Sequence, residues 1–386
     1  MTIVVSDIRR DQRDNRLETS VSVRIGADTH RLSIFHSGDI GCIADSAPAY
    51  DPFVTLLLIP AMAQNMPIVV EGTLYAQRLD GFRRGMQTIL SCASAGWNIV
   101  PIEAEAQTEA RQPDLSKGAA IGMSCGIDSL YTYFDMQRSE VADNMRIKLL
   151  FHNDVGAHVD KKTFERHRDH ARRFAAEVAL PLITAEIDLR RFYTGRFIHS
   201  HSLRNAGAAM SVETSFHTYL YARANANLIQ GPLSRSSGLD ASEPMLLPLL
   251  NTSANTYQSH GMHIERISKT KEVMKEPAAQ RYLTVCTHSF KEENGKMNCG
   301  RCQKCARALF YADAIGKLDA FSTTFDIDAF KLHKKHGLLR LLRHSVLDRR
   351  SREDREALAY LFEQNYPLPS WFELFRKKIG PSGINY

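Results

Sequence analysis

The chain is expected to be an α/β protein with a doubly wound parallel sheet, a zinc-binding subdomain, an N-terminal α+β domain and a helical C-terminal region. Three observations predict this. Short apolar runs alternate with amphipathic segments from residue 118 onward, four cysteines crowd into residues 286–305, and the first hundred residues contain a hairpin pattern. Strand–helix alternation calls for crossover connections, which make the strands parallel. A length of 386 residues suits two or three domains. With 44% apolar and 24% charged residues, the chain is neither disordered nor a disulfide miniprotein.

In chain order, Arg16 to Phe35 alternates apolar and polar residues around Gly26-Ala-Asp28 and reads as a β-hairpin. Phe53, Leu56, Leu57 and Met62 predict a helix from Asp51, interrupted near Pro60. Val69 and Val70 suggest a strand, and Leu79 to Ala93 a helix. The polar, aperiodic stretch Glu103 to Lys117 reads as a linker. Then come a strand at Gly118–Met123, a helix at Asp128–Gln137 and a strand at Arg146–Phe151. Asp160–Ala179 is an amphipathic helix, with Phe164, Ala171, Phe174, Ala175 and Val178 on one face. A strand at Leu182–Ile187, a helix at Leu203–Ala224 and a strand at Asn227–Gln230 complete the alternation. The domains expected are 1–110, 117–322 and 325–386, the last mostly helical.

Pro60, Gln64, Asn65 and Pro67 break the most apolar stretch, Val54–Val70, so no membrane span is expected. The N-terminus becomes charged too soon for a signal peptide. Cysteines clustered at metal-ligand spacing agree with a reducing, cytoplasmic compartment.

The chemistry concentrates in two places. The first is the turn Gly122-Met-Ser124-Cys125-Gly126-Ile127-Asp128-Ser129, between a strand and a helix. Such a turn offers backbone N–H groups at a helix N-terminus, which suits phosphate or pyrophosphate. Ser124 and Ser129 add hydroxyl donors. Asp128 can cap the helix or help hold a magnesium ion. The same residues contain Gly-x-Ser-x-Gly, the nucleophile elbow of serine hydrolases, with Ser124 as nucleophile. That alternative finds no His-Gly-Gly oxyanion segment upstream and leaves the cysteines unexplained.

The second place is Cys286-x12-Cys299-x2-Cys302-x2-Cys305. Four thiolates make a closed, structural tetrahedral zinc site. Zinc is preferred over an iron–sulfur cluster because the fourth cysteine lies upstream and no Cys-Pro follows.

The turn resembles the Ser-Gly-Gly-x-Asp-Ser signature of the PP-loop ATP pyrophosphatases, with Cys125 where the first loop glycine usually lies. Followed by this cysteine pattern, it resembles the 7-cyano-7-deazaguanine synthases over about residues 117–320. Residues 1–110 and 325–386 have no counterpart there. The resemblance implies an adenine-nucleotide-hydrolase-type fold. It also implies an ATP-dependent, AMP- and pyrophosphate-forming ligase that adenylates an acceptor substrate for attack by a nitrogen nucleophile. Relatives of this kind occur in bacterial defence and biosynthetic operons. Its implied ligands are ATP and Mg2+ at the turn and Zn2+ on the cysteines. Catalytic roles fall to Asp128, Ser124, Arg266 and Lys269. Nucleotide contacts fall to Ser124, Cys125, Gly126, Ile127, Asp128, Ser129, Asn153, Asp154 and Arg204. Ser236 and Asp240 are expected to face the same crevice. A positive φ at Cys125 would strain a residue bearing a Cβ.

A thiolating tRNA-modification enzyme, with Cys125 carrying sulfur, is a further alternative, as is a catalytically silent nucleotide sensor. His199, His201, His260 and His263 lack metal-ligand spacing; the hydrolase reading would need His260 or His263 as base. Residues 331–355 hold nine Lys/Arg and three acids, a surplus equal to the +6 of the whole chain. That stretch is either a solvated helix face or a docking surface for an acidic protein or RNA. Oligomerisation is left open.

Overall fold

The computed structural model describes residues 1–94, 96–108, 111–158, 160–195, 197–224, 242–286, 295–347, 352–372 and 374. The strands are β1 (Ile3–Arg13), β2 (Arg16–Ile25), β3 (Asp28–Gly38), β4 (Ile68–Tyr75), β5 (Ile102–Gln107), β6 (Ala119–Gly122), β7 (Ile147–Asp154), β8 (Leu182–Ile187), β9 (Thr218–Ala222) and β10 (Thr256–His260). They form one sheet in the order β10-β9-β6-β7-β8-β3-β2-β1-β4-β5. Six of the nine pairings are parallel; the meander β1-β2-β3 and the seam between β3 and β8 are antiparallel. The protein is therefore α/β with a mostly parallel sheet.

Among β6 to β10 the order runs outward from β6 in both directions. The crevice at such a reversal, beyond the carboxyl end of the strand, is where open α/β sheets bind ligands. The segment after β6 begins at Met123, whose N–H donates to the Phe151 carbonyl (2.7 Å).

The chain divides into two compact units: unit 1 is Met1–Met123 with Thr132–His263, and unit 2 is Ser124–Tyr131 with Ile264–Tyr386. In unit 1 the helix Asp51–Gln64 is buried from Asp51 to Met62. It belongs to one apolar cluster with Ile3, Val5, Val23, Phe82, Phe151 and Leu203. Unit 2 is helical: Arg266–Val273, Pro277–Tyr282, Gln303–Ala314, Ile327–Leu342 and Arg352–Glu363. Its Phe310 ring packs edge-on against Phe330 and Tyr366, with centroids 5.1 and 6.2 Å away.

The hairpin forms as expected, with Arg16 opposite Ser37 and Ile25 opposite Asp28. Three expectations need correction. The helix from Asp51 runs through Pro60 to Gln64 without interruption. Pro60 lacks the N–H that would reach the Leu56 carbonyl, and the Tyr193 hydroxyl donates there instead (2.7 Å). The linker contains β5, paired in parallel with β4. Only Ile102 of β5 is buried, so its alternation is hard to see. The helix from Leu203 spans His201–Met210, and Thr218-Tyr-Leu-Tyr-Ala222 is strand β9. β-Branched and aromatic residues suit the pleated sheet better than a helix. β1, for which no element was expected, joins the hairpin as a third antiparallel strand. The expected strand Asn227–Gln230 lies outside the described residues. Among those described, no helix is long and apolar enough to cross a membrane.

Candidate functional site

Unit 2 gathers most of the residues singled out for chemistry. Ser124 is exposed and leads, through Cys125 and Gly126, into the helix Ile127–Arg138. Cys125 has φ +56° and is buried. The left-handed conformation costs a residue with a Cβ roughly 1–2 kcal/mol. Burial also pushes its thiol up to about 12, so it stays protonated at neutral pH. The turn is closed by its own hydroxyls. The Gly126 N–H donates to Ser124 Oγ (3.3 Å), Ser129 Oγ donates to the Gly126 carbonyl (3.1 Å), and the two serine hydroxyls are 3.3 Å apart. A Cβ at Gly126 would lie 3.2 Å from Ser124 Oγ and 3.6 Å from the Thr284 carbonyl, so the cradle fits glycine.

Asp128 stands in the first turn of that helix, where its charge favours the positive end of the dipole. Its Oδ2 lies 3.0 Å from Arg266 Nη1. Its Oδ1 is buried without a hydrogen-bond partner. Arg266 opens the helix Arg266–Val273, and Lys269 follows one turn later. Lys269 is buried, with Nζ 5.7 Å from the centre of the Tyr131 ring.

Nearby in sequence, the four cysteines converge. Sγ of Cys286 is 3.8 Å from those of Cys299 and Cys302, and Cys299 Sγ is 3.9 Å from Cys305 Sγ. All four sulfurs lie within 4.8 Å of one another and can hold a metal ion. A disulfide would need sulfurs about 2 Å apart. Tetrahedral ligands at about 2.3 Å from zinc would stand roughly 3.8 Å apart. The Cys302 N–H donates to Cys299 Sγ (3.3 Å), and the Cys305 N–H to Cys302 Sγ (3.5 Å). Contact with Cys286 lowers the Cys302 thiol to about 6, favouring thiolate. Gly300 adopts φ +68° between two of the ligands, and a Cβ there would collide with the Asp326 carbonyl.

Sequence reasoning missed Asn298, which organises this knuckle. It is fully buried. Its Oδ1 accepts from the N–H groups of Val285 (2.8 Å) and Cys286 (3.1 Å), and its Nδ2 donates to the carbonyls of Leu283 (2.8 Å) and Thr324 (3.1 Å). Its one visible signal was its place beside Cys299. The Thr284 N–H, two residues before the first cysteine, donates to the Cys125 carbonyl (2.8 Å). One backbone bond thus ties the cysteine knuckle to the serine-rich turn.

Asn153, Asp154 and Arg204 belong to unit 1. Asn153 and Asp154 end β7 and are half-buried, with Asp154 Oδ1 3.2 Å from His158 Nδ1. Arg204 is buried, donates to the Val155 carbonyl (3.1 Å) and stacks 3.6 Å from the centre of the Tyr193 ring. His260 Nε2 lies 3.2 Å from Asp135 Oδ2. Ser236 and Asp240 lie outside the described residues. In the basic stretch, Lys331 and Lys334 pair with Asp319 (3.7 Å) and Asp313 (2.8 Å), while Arg349 and Arg350 lie outside the described residues.

No protein-family model, curated protein or solved structure matches the chain.

Proposed function

We propose that the protein is an ATP-dependent, AMP- and pyrophosphate-forming ligase of the PP-loop type, with a structural zinc on Cys286, Cys299, Cys302 and Cys305. The observation that carries this reading is the grouping of the Ser124–Ser129 turn with Asp128, Arg266 and Lys269 in one compact unit. Turn N–H groups, two hydroxyls and two cations offer donors for a polyphosphate. Asp128 Oδ1, buried and unpartnered, suits a divalent cation. When bound, magnesium would neutralise phosphate charge. Ser124 and Ser129 would orient the phosphates, and Arg266 and Lys269 would stabilise charge on the departing pyrophosphate. An acceptor oxygen would attack the α-phosphorus, and a nitrogen nucleophile would then displace AMP from the adenylate.

The alternatives fare worse. Cys125 is buried and protonated, a poor sulfur carrier. Among the described residues, the Ser124 hydroxyl bonds only to Ser129 and Gly126, neither of which is a base. The ion-paired lysines of the basic stretch favour a solvated helix face over a docking surface. Mass spectrometry of the products tests the proposal: AMP plus pyrophosphate is expected from the wild type, and none from Asp128→Ala. ADP plus phosphate would refute it, and a chain that binds ATP without cleaving it under any acceptor would be a sensor.

A further inference from the structure

We propose that Arg266 acts as a built-in cation on Asp128, making the turn selective for a metal–nucleotide complex over free metal or free nucleotide. The inference rests on the phosphate-turn reading and adds a specificity role to Arg266.

Three observations support it. Arg266 Nη1 lies 3.0 Å from Asp128 Oδ2, with side chains 32% and 18% exposed, so water screens the pair only in part. Asp128 is also the turn's carboxylate, and its second oxygen is buried without a partner. Arg266 is the first residue of its helix, where the dipole disfavours a cation. The guanidinium is thus held in place by a neighbouring anion against its own helix.

The consequences follow from charge. A bare divalent ion reaching Asp128 Oδ1 must share the carboxylate with the guanidinium on Oδ2, and the two cations repel each other. A polyphosphate supplies that partner, because guanidinium bonds phosphate oxygens in a bidentate fork. Arg266 then moves from carboxylate to phosphate, and the carboxylate would meet the metal without that competing charge. Nucleotide and metal each improve the other's binding by the same factor, as linkage requires. Removing the guanidinium should loosen this coupling from both sides.

The test is Mn2+ binding to the zinc-loaded full chain, read from the electron paramagnetic resonance signal of free Mn2+. It is run with and without α,β-methylene-ATP, which resists cleavage between the α- and β-phosphates. Without nucleotide, Arg266→Gln and Arg266→Met should bind Mn2+ roughly five-fold more tightly than wild type, the release expected for a partly exposed ion pair. Adding Asp128→Asn should cancel the gain. The factor by which the nucleotide improves Mn2+ affinity should shrink in both variants. Unchanged melting temperatures would show that the variants fold. Equal Mn2+ affinity in wild type and both variants, with the wild type still binding nucleotide, would overturn this inference alone. Failure of the wild type to bind any nucleotide would overturn the phosphate-turn reading beneath it.

Discussion

Unit 1 holds ten paired strands and a continuous cluster of apolar side chains from Ile3 to Tyr257. Unit 2 holds short helices around four cysteines and two buried polar hubs. One hub is Asn298, with its four hydrogen bonds. The other is Asp354, which accepts from Arg307 Nη1 (3.1 Å) and Gln303 Nε2 and lies 2.8 Å from His344 Nδ1. Unit 1 also contains polar groups at depth. Arg78, fully buried, bonds both oxygens of Glu213 and lies 3.7 Å from Asp51. In both units such groups are set among buried apolar side chains, which in unit 2 include Leu309, Phe310, Phe330, Leu341 and Leu358. The difference teaches that most of the candidate chemistry resides in the helical unit that carries the four cysteines, and not in the unit that holds the sheet.

The strongest way to break this comparison is to deny the four cysteines the metal proposed for them. Structural zinc contributes on the order of 10 kcal/mol to the folding of small zinc modules. Chelation or Cys302→Ser should abolish hydrogen-exchange protection in Gln303–Ala314 and Ile327–Leu342. Protection in β6, β7 and β8 should persist. Equal loss in both units would mean that they unfold as one. Asn298→Ala is the next step down. It leaves three backbone groups without their partner, because the Thr324 carbonyl keeps the N–H of residue 298 (2.9 Å), and should cost unit 2 about 2–4 kcal/mol, read by urea denaturation with a unit 2 probe.

The smallest effect concerns pH, and it falls on unit 1. Burial lowers His36 and His167 to about 3 and His152 to about 4. Folded pKa values below the unfolded value of about 6.5 mean that the unfolded chain binds more protons on acidification. The stability contributed by these neutral rings is complete above pH 6.5 and falls as pH drops from there towards 4. Between pH 7.5 and 5.5 each histidine should remove on the order of 1 kcal/mol. Asp51, raised to about 6 by burial, opposes this trend at the acid end of that window. Melting curves should therefore shift downward on acidification, and less so in His167→Phe. An equal shift in that variant would exclude His167 as a source.

The comparison also explains what could be read from the sequence. The hairpin, β6, β7, β8 and the cysteine knuckle were legible because each is a local pattern: alternation, a short apolar run, or fixed ligand spacing. β1 and β5 were not, because pairing with neighbours decides which of their residues are covered. The continuity of the helix Asp51–Gln64 through Pro60 depends on a hydroxyl from Tyr193, far away in the chain. The role of Asn298 was not legible for the same reason, since it is defined by Leu283, Val285 and Thr324. Within the candidate site, the turn and its cations were legible as residue types. The ion pair between Asp128 and Arg266 was not.

The backbone bond from Thr284 to Cys125 also has a consequence for synthesis. A ribosome adding about 5–20 residues each second needs roughly 10 to 30 seconds to pass from one partner to the other. During that time β7 to β10 are made, while the serine-rich turn still lacks the Thr284 N–H that bonds to it. The turn is among the first elements of its half of the chain to be translated and among the last to reach its final form.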